Sequence, residues 1–203
     1  MFTDFENSSS TSLVIEDGQL DFFPNFLEHE CASKLYQRIL TELPLQENQI
    51  VIFGKQVKVP RLEAYFSLNG ENYGYSGQTL NNNPFPGFLN DLRLKIEATT
   101  GCKYNALLIN YYRDGQDSNG WHADNEKTLG KNPSIASLSL GAERNFELRH
   151  LENKKKIKLN LTHGSLLHMH GALQHHWKHQ LPKVKNLSEA RINLTFRLIL
   201  ASS

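Results

Sequence analysis

"ARINLTFRLIL" (190–200) changes character at every residue. Arg191, Asn193, Thr195 and Arg197 fall on one parity, and Ile192, Leu194, Phe196 and Leu198 on the other. Successive side chains of a β-strand point to opposite faces, so the spacing predicts a strand with one apolar face on a core. The opposite face carries two guanidiniums, an amide and a hydroxyl, and no acid. A solvated face has polar alternation too, but two arginines without an acidic partner also suit an anion, because guanidinium pairs carboxylates in a bidentate fork. Segments of the same kind run back from this strand to residue 104: "YNALLINYY", "SIASLSLG", "RNFELRH", "KIKLNLTHGSLLHMH" and "HHWKHQL". Short strands at this cadence predict an antiparallel sandwich or jelly roll.

The first half of the chain reads differently. In "LDFFPNFLEHECASKLYQRILTEL" (20–43), Leu27, Leu35, Ile39 and Leu43 recur at helical spacing, which predicts a helix. "PFPGFLNDLRLKIEATTG" (84–101) predicts a second, with prolines before it and Gly101 at its end. "QIVIFGKQVKVPR" (49–61) alternates as a strand pair turning near Gly54 and Lys55. The expected fold class is α+β, mainly β, with N-terminal helices covering one sheet of a jelly roll. It divides into a flexible lead-in (1–18), an N-terminal helical and lid region (19–103) and the jelly-roll core (104–203), one structural domain overall.

Of the 203 residues, 39% are hydrophobic and 21% charged, and the formal net charge is +1, an ordinary balance for a globular protein without a polycationic surface. No apolar run is long enough to span a bilayer, and the acidic N-terminus does not read as a secretory signal. Cys31 and Cys102 match no metal or redox spacing. These features predict an intracellular protein, cytoplasmic, or nuclear in a eukaryotic source, with no membrane partner.

Histidines raise the chemical question. Five of nine stand in "LLHMHG" (166–171) and "LQHHWKHQLP" (173–182). Upstream, "GWHADNE" (120–126) places His122 and Asp124 two apart, on one face of an extended segment. One imidazole and one carboxylate can grip two adjacent positions of a divalent ion, and a third ligand completes the 2-His-1-carboxylate triad of non-heme Fe(II) oxygenases. Within "HHWKHQL", strand parity sets His176 with the wetter Lys178 and Gln180, leaving His175 and His179 open, with His168 and His170 on another strand. Arg191 and Arg197 stand about 20 Å apart along an extended strand. Leaning inward, they leave a gap the size of a five-carbon dicarboxylate, and beside such a metal that dicarboxylate is 2-oxoglutarate.

These segments, with "VIFGK", "VPR", "YGYSG" and "LLINYYRDGQD", resemble the AlkB family of Fe(II)/2-oxoglutarate-dependent dioxygenases, which remove alkyl groups from nucleobases. The resemblance covers about residues 50–200 and is closest to the members acting on duplex DNA. It implies a double-stranded β-helix with a nucleotide-recognition hairpin region. It implies Fe(II) on His122, Asp124 and His179, with 2-oxoglutarate and O2 as co-substrates. It places Arg191 on the distal carboxylate of 2-oxoglutarate and Arg197 nearer the chelating end, with Asn193, Thr195, Asn110 and Tyr112 beside them. It implies substrate contacts from Phe53, Gly54 and Lys55 in the hairpin, Arg61, Tyr73, Gly74 and Tyr75 around an extruded base, and Asn125 and Glu126 on its edge. The implied activity is oxidative demethylation of 1-methyladenine- and 3-methylcytosine-type lesions in DNA by a monomer. A same-fold dioxygenase acting on single-stranded DNA, RNA or another substrate is the alternative. Lys178 departs from the aromatic that close relatives often carry there, and the basic flank (Lys154, Lys155, Lys156, Lys183, Lys185) is modest.

Overall fold

The computed structural model describes residues 10–52, 55–70, 72–75 and 78–200. In chain order the elements are β1 (Thr11–Ile15), β2 (Gly18–Phe23), α1 (His29–Glu42), β3 (Gln46–Ile52), β4 (Lys55–Ser67), β5 (Tyr73–Tyr75), β6 (Gln78–Leu80), β7 (Asn82–Asn83) and α2 (Gly87–Thr100). There follow β8 (Ala106–Tyr112), β9 (Asn119–His122), β10 (Ile135–Gly141), β11 (Arg144–His150), β12 (Lys156–Leu161), β13 (Leu166–His170), the short α3 (Leu173–His176), β14 (Trp177–Leu181) and β15 (Arg191–Arg197).

Two sheets carry the architecture. The larger runs β1-β2-β13-β10-β15-β8-β4-β3, with β7 beside β4, and the smaller runs β12-β11-β14-β9. Neighbours pair antiparallel except β4 with β7. Both faces of the larger sheet are covered. Leu35 and Ile39 of α1 and Leu89, Leu92 and Ile96 of α2 bury against one face, which presents Leu107, Ile109, Leu138, Ile192, Leu194 and Phe196. Between the sheets, Leu167 and Met169 of β13 meet Phe146, Leu148 and Trp177 of the smaller sheet. Each fully buried aliphatic side chain contributes about 1.5–3 kcal/mol. The alternation of β15 therefore divides its side chains between a helix-side core and the space between the sheets, the expected jelly roll with helices over one sheet.

Three local expectations change. The helix expected over 20–43 begins at His29, because residues 18–23 form a strand, pairing Leu20 with Leu13 of β1 and with Met169 of β13. The apolar spacing that holds over Leu35 and Ile39 does not extend back past Pro24. The lead-in expected over 1–18 likewise contains β1, whose Leu13 and Ile15 pack on the inter-sheet core. Finally, "HHWKHQL" is strand only from Trp177, and His175 and His176 lie on α3. Leu198 falls beyond β15 and is exposed. Gly101 closes α2 at φ 69°, with its amide on the Glu97 carbonyl.

Gly115 locks the loop after β8 to the loop before β15. Its amide donates to the Leu187 carbonyl at 2.8 Å and its own carbonyl accepts from Val184 at 2.8 Å. A Cβ there would lie 2.1 Å from the Val184 oxygen, so only glycine permits this approach of the two loops.

Candidate metal centre and cavity

The smaller sheet brings two histidines side by side. β9 and β14 pair with His122 opposite His179, and the rings meet edge-on with centroids 4.2 Å apart. Asp124 follows β9 and is tied from two sides. Its amide donates to Gln174 Oε1 at 2.9 Å, and its Oδ2 accepts from Arg197 Nε at 3.1 Å and Nη2 at 2.7 Å. His122 Nε2 lies 3.7 Å from Asp124 Oδ1, and one ligand atom from each of His122, Asp124 and His179 falls within 4.8 Å of the others. His122 Nδ1 donates to the Gly120 carbonyl at 2.7 Å, which turns Nε2 toward the group and raises its basicity as a ligand. His179 is buried, and its Nδ1 has no hydrogen-bond partner among the described residues.

Electrostatics matches a cation site. Burial alone would raise the Asp124 carboxyl, but the Arg197 charge and the two imidazoles outweigh it and hold that carboxyl well below the usual carboxylate range. Burial, reinforced by His122, pushes His179 down to about 3, so it is the neutral imidazole a metal needs. This shift has a stability consequence. The unfolded chain takes up the His179 proton near its ordinary value, and the folded chain only near 3. Stability is therefore lost as pH falls between those values, since the unfolded state binds more protons there. His168, lowered by burial, adds in the same direction. We expect the melting temperature of metal-free protein to fall from pH 7 to pH 5, and His179→Gln to flatten that slope. An unchanged slope in the variant would refute the assignment.

The triad opens on a cavity of about 440 Å³ between the sheets. Its far wall is the polar parity of β15 with Asn110 and Tyr112 of β8. Arg191 is buried, donates from Nη2 to Ser139 Oγ at 2.8 Å and lies 5.5 Å from the Tyr112 ring centroid. Its Nε has no partner among the described residues, and burial pulls its pKa down to about 10. Arg191 lines the cavity, and a buried guanidinium with an unpaired N–H is costly unless an anion completes it. Asn193 donates to Ser137 Oγ at 2.7 Å and Thr195 to Asn193 Oδ1 at 2.9 Å, fixing the wall between the two arginines.

The remaining sequence candidates divide. Arg61 lines the cavity but is engaged by Asn110 Oδ1 at 2.6 Å and Glu63 Oε1 at 2.8 Å, a buried network rather than an open contact. Glu126 lines the cavity with Oε2 buried and unpartnered among the described residues, whereas Asn125 is exposed. Gly74 sits in β5. Phe53 and Gly54, and the side chains of Lys55, Tyr73 and Tyr75, lie outside the described residues. His175 is exposed on α3, His176 stands by Asp17, and His168 and His170 turn to Asp21, so none of these four joins the triad. Arg197, read from spacing as one of two anion clamps, has Asp124 as its immediate partner. Sequence reasoning missed Ser137, Ser139 and Gln174. The serines were visible as a polar parity in "SIASLSLG"; Gln174 left no signal.

A jelly roll with this His/Asp/His group beside a buried cavity arginine defines a class, and the family model of the 2OG-Fe(II) oxygenase superfamily matches residues 19–197. The rat alpha-ketoglutarate-dependent dioxygenase alkB homolog 3 is 39% identical over 188 residues, covering 87% of this chain and 63% of that protein. Human DNA oxidative demethylase ALKBH2 is 40% identical over 160 residues, covering 75% of this chain and 61% of that protein. The solved structure of OsALKBH1 superposes with a TM-score of 0.66 at 17% identity, over 93% of this chain and 100% of that one, a likeness of fold. The chain belongs to the AlkB family of the 2OG-Fe(II) oxygenase superfamily. It spans about three fifths of the length of the curated relatives it matches. Among the described residues, no helix is long and apolar enough to cross a membrane.

Proposed function

We propose that this chain is a monomeric oxidative dealkylase of N-alkylated bases in DNA, of the 1-methyladenine and 3-methylcytosine type. In the net reaction, 2-oxoglutarate and O2 are consumed, succinate and CO2 form, and a methyl lesion leaves as formaldehyde. The observation that carries the reading is the gathering of a His/Asp/His triad and the buried guanidinium of Arg191 around one cavity.

The donor set fits Fe(II): two imidazoles and one carboxylate, the facial triad of non-heme oxygenases. When bound, Fe(II) and 2-oxoglutarate supply the oxidising power that puts an oxygen atom from O2 on an unactivated N-alkyl carbon. The protein's own residues do the rest. Arg197 keeps Asp124 ionised and aimed, and the Gly120 carbonyl orients His122. Arg191 offers its free N–H, with Ser139 behind it, to a carboxylate. Asn110, Tyr112, Asn193 and Thr195 shape the wall that carboxylate lies along. No protein nucleophile is required, because an N-hydroxymethyl product breaks its own C–N bond: the bonding pair returns to the ring nitrogen, the hydroxyl proton leaves to solvent, and formaldehyde is released. Alkylation of the Watson–Crick edge removes pairing and lowers the cost of extruding the base. The unpartnered Glu126 oxygen at the cavity and the aromatics of "YGYSG" are the groups offered to that base. A DNA substrate is supported by the similarity to relatives named DNA oxidative demethylase.

The test is anaerobic loading with Fe(II) and 2-oxoglutarate, then O2 and an oligonucleotide carrying 1-methyladenine, with an RNA oligomer in parallel. Succinate and formaldehyde should appear in equal amounts with the DNA. Succinate without formaldehyde, or formaldehyde from RNA alone, would overturn the substrate reading. Arg191→Met should raise the KM for 2-oxoglutarate by about 10–100-fold, as loss of a charge-assisted bidentate pair implies. An unchanged KM would remove Arg191 from the co-substrate site.

A further inference from the structure

Two other His/Asp groups lie outside the triad among the described residues: Asp21 with His168 and His170, and Asp17 with His150 and His176. We propose that Asp21, His168 and His170 form a second, structural site for a divalent transition-metal ion of the zinc type. It would pin β2 to β13 and so hold the N-terminal strand pair at the edge of the larger sheet.

The placement repeats the local device of the triad. His168 and His170 are two apart on β13, so they share a face, and their rings stack with centroids 4.3 Å apart at 8°. β2 pairs with β13 so that Asp21 stands directly opposite His168. Both imidazoles converge on one carboxylate oxygen: His168 Nδ1 lies 3.2 Å and His170 Nε2 2.9 Å from Asp21 Oδ2.

The surroundings are those a metal ligand set needs. The other Asp21 oxygen is already taken, accepting from Ser12 Oγ at 2.6 Å, which leaves Oδ2 for the ion. The other nitrogen of His168 is held by Ser134 Oγ at 2.8 Å, and Ser134 is in turn 3.0 Å from the Tyr104 hydroxyl. Such an outer partner holds the ring, and the Ser134 hydroxyl can accept from Nε2–H in the tautomer whose Nδ1 presents its lone pair. Burial lowers the His168 pKa and favours the neutral form that coordinates. His168 is buried, while His170 and Asp21 are partly exposed, which gives an ion a way in and water a fourth position.

The second group lacks these features. His150 Nδ1 accepts from the Glu152 and Asn153 amides at 3.2 and 3.4 Å. Its proton therefore sits on Nε2, which donates to Asp17 at 3.2 Å, and His176 Nδ1 stands off at 3.7 Å. That arrangement is a hydrogen-bonded anchor for the β1–β2 turn.

The triad would also bind zinc, so the test starts from full-length His122→Ala/His179→Ala protein, which keeps the Asp124–Arg197 pair. After dialysis against micromolar Zn2+ and metal analysis, this protein should retain one equivalent, and Co2+ in its place should give a visible tetrahedral absorption band. Adding His170→Gln or Asp21→Asn should remove the equivalent and its rise in melting temperature, whereas adding Asp17→Asn should not. His170 is partly exposed, so its variant should fold, as a cooperative melt without zinc will verify. No retained zinc in the starting protein, or zinc that survives both His170→Gln and Asp21→Asn, would overturn the proposal.

Discussion

His179→Ala is expected to lose Fe(II)-dependent turnover by at least about 100-fold, since losing even an outer partner of a metal ligand costs about 10–100-fold. His176→Ala, three residues away, should keep turnover within about twofold, the scale of a surface change away from the site. The contrast rests on register. β14 sets His179 opposite His122, buried and beside Asp124. His176 lies on α3 next to Asp17 and groups with His150, apart from the triad. Iron content by metal analysis and succinate formation should fall together in His179→Ala. Turnover near wild type in that variant, or a parallel loss in His176→Ala, would disprove the assignment of the third ligand.

The second large effect concerns Arg197. It is 8% exposed and Asp124 5%, so the pair is removed from water and neither charge has solvent to fall back on. Arg197→Leu leaves the Asp124 carboxylate buried without its cation, and breaking a buried pair from one side costs about 3–5 kcal/mol. For a chain of this size, a melting temperature lower by about 6–20 °C follows. A divalent ion supplied in excess should recover part of that loss, because the ion binds only the folded state and neutralises the same carboxylate. Melting curves of metal-free protein with and without added Mn2+ measure both quantities. A drop of less than about 1 kcal/mol, the scale of a surface ion pair, would mean that solvent reaches Asp124.

Much of the fold was legible because periodicity is a local property. "ARINLTFRLIL" states its two faces outright, and β15 puts Ile192, Leu194 and Phe196 into the core under the helices and the polar four into the cavity. Gly101 and the prolines bounded α2 for the same reason. Errors arose where a local signal ran out. Nothing between Leu20 and Pro24 distinguishes a helix approach from an edge strand until β13 is there to pair with it. His175 belonged to a strand on parity alone, but the chain turns through α3 before Trp177.

The site divides along the same line. By itself, the sequence determined that His122 and Asp124 act from one segment and that Arg191 and Arg197 share a face. Each statement follows from the two-residue repeat of an extended chain, which needs no partner. Only the tertiary structure decided which of the crowded histidines meets the His-x-Asp pair and that Arg197 spends its guanidinium on Asp124 while Arg191 is buried against Ser139. It also turned His168 and His170 toward Asp21. Those outcomes depend on cross-strand register between segments far apart in the chain. That register is set by how the apolar faces of two sheets pack together, which no single segment encodes.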